Sequence, residues 1–267
     1  MVKGRACAGL AASIALIAAL AWATAGDGRV PFDRIPPPVQ ERLRDVIDHA
    51  AFQRAVQGFT FRSHEPVFLY FMDHMDFAAA AARALGVAHY RVERRADGTY
   101  WGDDARGAQG IIEVAYADPR KRVVYAQGTY DTKWLPTIHG RIVLILDFEH
   151  RNGPDGQSYV TNDLKGYLRV DNRFLDALSR LVGPIVVGAV DRKVARSFGI
   201  AGKVSERAYD DPVGFLETLR KAPDVDRQHL AALAARLGKV AEPPGKPSPT
   251  PASAAPTHAT SGRIPPG

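Results

Sequence analysis

Apolar and polar positions change rhythm along this chain, and each change marks an element. Ile138, Ile142, Leu144, Leu146 and Phe148 fall on one side of an alternating run, the two-residue period of a strand. A loop holding Asn152, Gly153, Pro154, Asp155 and Gly156 follows, and residues 158–171 return as an extended run antiparallel to the first. Then the period lengthens. Phe174, Leu178, Leu181, Ile185, Val186, Ala189, Val190, Val194 and Phe198 recur at helical spacing, which predicts one long apolar-faced helix over residues 172–200. A hairpin feeding such a helix predicts a sheet closed by a helix.

Upstream, residues 39–56 read as an amphipathic helix with Val39, Leu43, Val46, Ile47 and Ala50 on one face, Pro38 in its first turn and Gly58 stopping it. Residues 60–74 read as extended, because Phe68, Leu69, Tyr70, Phe71 and Met72 are apolar on both faces, as in a buried strand. An alanine-rich helix comes next, with Asp76 as its N-cap and Gly86 just past its end. Residues 87–171 alternate strands with short turns at Ala96-Asp97-Gly98 and Asp118-Pro119-Arg120-Lys121, which favours an antiparallel meander. Beyond the long helix, Asp211-Pro212 starts a short helix through Lys221. Asp224 or Asp226 starts another, with Leu230, Leu233 and Leu237 on one face and Gly238 at its end.

Composition changes the picture at the two ends. Residues 1–25 read as a secretory leader: Lys3 and Arg5, an apolar middle, and Ala23-Thr24-Ala25 as the cleavage site before Gly26. This predicts an exported, periplasmic protein. Cys7, the only cysteine, leaves with the leader and lacks a lipoprotein context, so the mature core stands without disulfides. Residues 26–38 read as a linker, 39–240 as the folded domain, and 241–267 as a disordered tail rich in Pro, Ala, Ser and Thr. The formal charge of +6 loses Lys3 and Arg5 with the leader, leaving +4. That mild excess suits transient contact with an anionic membrane surface. No basic cluster is interleaved with aromatics, which argues against nucleic acid.

The polar residues offer little chemistry. There is no HExxH, no phosphate-cradling glycine loop and no GxSxG, so neither a metal nor a cofactor is expected. His64 with Glu65, His74 between Asp73 and Asp76, and Glu149 with His150 are the acid–base candidates. Neighbours on a strand point to opposite faces, which weighs against each pair.

The order of elements resembles the helix-grip fold of the START-like (SRPBCC) superfamily, which includes polyketide cyclase-like and lipid-transfer proteins. The resemblance covers residues 58–205 and is carried by PVFLYFMDH with the helix after it, the meander of residues 87–171, and RVDNRFLDALSRLVGPIVVGAVDRKVARSF. It implies an α+β fold in which a curved antiparallel sheet wraps around a long C-terminal helix, with extra N- and C-terminal helices. It also implies a cavity between sheet and helix for a hydrophobic small molecule or lipid. The inward residues would be Tyr90, Trp101, Ile112, Val114, Tyr116, Leu144, Leu146, Phe174, Leu178, Leu181 and Ile185. The function so implied is an exported carrier. A cyclase- or hydrolase-like enzyme on the same fold, and an envelope scaffold with a filled core, are the alternatives.

Overall fold

Seven strands in the order β1-β7-β6-β5-β4-β3-β2 form one antiparallel sheet in the computed structural model, which describes residues 27–131, 137–171 and 183–241. The side chains of residues 183–195 and 241 lie outside that description. β2 (Arg91–Arg94), β3 (Tyr100–Asp103), β4 (Ala108–Asp118), β5 (Lys121–Tyr130), β6 (Ile138–Asn152) and β7 (Ser158–Val170) run as successive hairpins. The turns are those the sequence marks: Gly98 and Gly156 take positive φ of 83° and 73°. β1 (Phe52–Arg62) returns to pair with β7 and makes the far edge. The result is an α+β protein with an open antiparallel sheet and several helices, an arrangement compatible with a helix grip.

Helix α1 (Pro37–Asp48) covers one face of the sheet. Its Leu43 and Val46 are fully buried against Val123, Val143 and Ile145. The helix stops at Asp48 rather than at Val56. Every apolar position that argued for it lies before Ala51, and the residues after that are taken by pairing with β7, from Phe52 against Leu168 onward. Gly58 therefore ends no helix. It sits at φ 78° in a bulge where the β1 register shifts between Val56 and Phe59, and its N–H donates to Asp163 at 2.8 Å.

The second correction concerns PVFLYFMD, which is helix α2 (Glu65–Asp73), not a strand. A short run that is apolar all round fits a buried helix as well as a buried strand, and Pro66 suits a first helical turn. α2 lies between two apolar layers. Phe68 packs with Phe61, Phe148 and Val160 of the sheet, while Val67, Tyr70 and Phe71 join the helical core. Helix α3 (Met75–Ala84) begins just after His74, so Asp76 is not its cap. At its end Gly86 takes φ 68°; its N–H donates to the Arg83 carbonyl, and that of Val87 to Ala82.

Helix α4 is described over Gly183–Asp210, running past Ile200, with side chains from Arg196. Phe198 stacks on Phe59 of β1 at 4.3 Å, and Ile200, Val204 and Ala208 enter the helical core. α5 (Pro212–Lys221) is capped by Asp211, which accepts from the Gly214 N–H at 2.9 Å. α6 (Arg227–Ala241) starts at an Asp226 cap and runs through Gly238 instead of stopping there. Residues 27–35, read from composition as part of a linker, lie on the sheet. The Lys121 ammonium is 3.0 Å from Asp147 and 2.5 Å from Asp27, and Ile35 is buried. The leader and the tail lie outside the described residues.

Candidate functional site

The register of the sheet sorts its residues into two faces, because alternate side chains point oppositely. On the face away from α1, Val114, Val124, Leu144 and Gly166 stand in one row across β4–β7. The next row is Ile112, Ala126, Ile142 and Leu168. These apolar side chains are only half-buried, and Ile142 is 36 % exposed. The neighbouring Val143, on the α1 face, is completely buried.

α2 closes one end of this apolar band. Phe68 meets Phe148 edge-on at 5.1 Å, and Leu69, Met72 and Leu146 stand at the margin of that contact as a wall. Behind the wall, Arg122 is buried and donates to Asp73 Oδ1 at 2.6 Å and to the Lys121 carbonyl at 3.0 Å. Its guanidinium carbon lies 5.6 Å from the Phe148 ring, and its Nε–H has no partner. His150 also lies there, 5.4 Å from the Phe68 ring, with neither ring nitrogen hydrogen-bonded. Burial holds its pKa below the ordinary 6.5, and the charge of Glu65 only partly offsets this.

The opposite end of the band is a row of glycines. Gly102, Gly110, Gly128 and Gly140 stand side by side across β3–β6. A Cβ on Gly128 would lie 2.1 Å from the Gln109 carbonyl oxygen, and one on Gly110 would lie 2.3 Å from that of Gln127. Only glycine allows so close an approach, and such rows let a sheet bend sharply.

The predicted inward set divides on this framework. Ile112, Val114, Leu144 and Leu146 share the apolar face. Tyr116 does not: the register shifts between Val114 and Tyr116, and the extra residue turns Tyr116 to the α1 face. Its hydroxyl accepts from Arg34 at 3.0 Å and donates to Asp118 at 2.7 Å. Trp101 pairs with Ile111, on the face opposite Tyr100 and Ile112, and lines a shallow hollow of about 490 Å³ with Gln127 and Arg141. Tyr90 precedes β2 and packs on the helical core, where burial pushes its phenol up. Phe174, Leu178, Leu181 and the side chain of Ile185 lie outside the described residues.

No family model matches the chain, and no curated protein matches it. Solved structures of similar outline include a conserved protein from Geobacillus kaustophilus, at 11 % identity and TM-score 0.42, over 59 % of this chain and 97 % of that one. Ara h 8.0201 matches at 12 % identity and TM-score 0.32, over 57 % of this chain and 95 % of the other. An uncharacterized protein from Rhizobium leguminosarum matches at 15 % and 0.30, over 59 % and 99 %. At these scores the likeness carries neither a family nor a function to this chain.

The acid–base candidates are dispersed. Glu149 pairs with Arg151 at 2.7 Å, Asp73 with Arg122, and His64 lies 4.4 Å from the Tyr209 ring. No cluster of three metal-ligating side chains occurs among the described residues. What sequence reading missed is the meeting of His229 with Tyr70, 159 residues earlier, and with His74, which no local pattern could announce. The glycine row was visible only as four scattered strand glycines. Chemically, the band offers apolar contact and almost no polar anchoring within its two open rows.

Proposed function

We propose that this protein binds an apolar small molecule, such as a lipid, along the band between the Leu69–Met72–Leu146 wall and the glycine row. The observation that carries this reading is the half-buried apolar surface of Ile112, Val114, Val124, Leu144 and Leu168 on a sheet whose other face is covered by α1 over Val123, Val143 and Ile145. Burying such surface under a ligand is favourable by about 25 cal/mol per Å², and contiguous exposed apolar surface marks binding sites. In this reading the sheet curves around α4 as in a helix grip, and the ligand lies between them. The protein acts as a carrier, exported with loss of residues 1–25, and its small positive excess favours brief contact with an anionic membrane.

The test is native mass spectrometry of residues 26–267, purified without detergent and mixed with a total lipid extract, beside a folded Leu144→Trp variant. The reading expects an added mass that is lost on denaturation and is missing from Leu144→Trp. A clean apo mass, or equal uptake by a folded Leu144→Trp, overturns it.

A further inference from the structure

Away from the apolar band, two histidines from distant parts of the chain meet in the helical layer. His74 occupies the junction between α2 and α3, and His229 the first turn of α6; their ring centroids are 4.4 Å apart. Tyr70 of α2 completes the group. Its ring lies 4.4 Å from that of His74, and its hydroxyl is 2.7 Å from His229 Nδ1 and 3.2 Å from the His229 carbonyl oxygen. The Arg236 guanidinium, two turns further along α6, sits 4.3 Å from the Tyr70 ring centroid. Two atoms in this contact are buried without a partner: His74 Nδ1 and Asp76 Oδ1.

We propose that His74, His229 and Tyr70 form an acid-sensitive latch that holds α6 against α2 and α3 at neutral pH and releases it on acidification. The electrostatics around the rings carry the argument. When both imidazoles are neutral, they pack as aromatic rings beside Tyr70 and Phe77. When both are protonated, two cations face each other across 4.4 Å in a half-buried contact. The other charged groups of the neighbourhood compensate only in part. Arg94 of β2 and Arg236 of α6 add positive charge. Asp73 of α2 is already engaged by Arg122 of β5 at 2.6 Å, and its carbonyl accepts from Tyr100 of β3. Asp226 is occupied in capping α6, accepting from the N–H groups of Gln228 and His229 at 2.8 Å. Asp76 of α3, with the partly engaged Asp73 and Asp226, stands against two imidazoliums and two arginines.

The neutral form of His74 is favoured in the folded chain chiefly by burial and then by His229, which lower its pKa from the ordinary 6.5; Asp76 and Asp73 oppose them. A histidine pKa lowered by folding contributes stability that is present above about 6.5 and lost as pH falls below it. Packing permits local release because α6 holds on through one face, Leu230, Leu233 and Leu237. Its departure would uncover Tyr70 and Phe77 of the helical core.

Amide hydrogen exchange tests this on residues 26–267 between about pH 7.5 and about pH 5, corrected for intrinsic exchange rates. The latch predicts that protection of residues 227–241 falls by about tenfold or more in acid while β5–β7 stay protected. In His74→Gln/His229→Gln, α6 keeps its protection at both pH values. His229→Gln alone serves the same purpose if the double variant loses its neutral-pH circular dichroism. Unchanged α6 protection in the wild type, loss in step with the sheet, or an equal loss in the folded variant each overturns the proposal.

Discussion

The two faces of the sheet are made by the same strands and differ in what covers them. On the α1 face, Val123, Val143, Ile145, Leu43 and Val46 have essentially no exposed surface. On the other face, their immediate neighbours in sequence, Val124, Ile142 and Leu144, are half-buried or exposed. Hydrophobicity does not separate the two sets. One face has α1 laid across its middle, while among the described residues the other is met by α2 at one end and by α4 at β1, so identical residue types become core on one side and half-buried surface on the other. An alternating strand declares two faces, but the element that covers each is chosen by the rest of the chain.

The sharpest way to break this contrast is to place one charge on either side of it. Val143→Asp should cost more than about 4 kcal/mol and unfold the protein, since it buries an unpaired carboxylate. Ile142→Asp, one residue away, should cost less than about 1 kcal/mol because water reaches the site. Urea denaturation of the two variants decides it; equal costs would mean that both faces are core. Gly128→Ala should follow at about 2–3 kcal/mol, because its Cβ has no room against the Gln109 carbonyl, and thermal melting measures it. A near-neutral result would mean that the sheet can flatten there.

Asp147→Ala tests how the α1 face keeps its border closed. Asp147 accepts from Gly28 at 3.1 Å and pairs with Lys121, so its loss should cost about 1–2 kcal/mol and speed proteolysis before Ile35. The smallest effect belongs to His150 at the covered end of the other face. Its pKa is lowered by burial, so its contribution is full above 6.5 and is lost as pH falls through that value. His150→Phe should therefore shrink the acid-induced fall in melting temperature by about a degree or two. A fall as steep as in the wild type would exclude His150 as a contributor.

Much of this fold was legible because its signals are local. Strand alternation, the turns at Gly98 and Gly156, the Schellman-type end at Gly86 and the Asp211 and Asp226 caps each depend on residues a few positions apart. The run from Pro66 to Asp73 was misread for the same reason. Its pattern has no polar side, and whether such a run becomes helix or strand depends on having two layers to lie between. The half-buried apolar face was legible only in part. Ile112, Val114, Leu144 and Leu146 follow from alternation, whereas Tyr116 was lost to a single bulge that reverses the phase, a defect set by pairing with β5.

The sequence by itself determined which residues alternate, where the chain turns, and that an antiparallel meander is followed by helices, because these are contests among neighbours in the chain. Only the tertiary structure decided which face α1 covers, where four glycines line up, and that His74 meets His229. Those outcomes depend on registers and packing between segments far apart in sequence, and a linear pattern carries no distance across the fold.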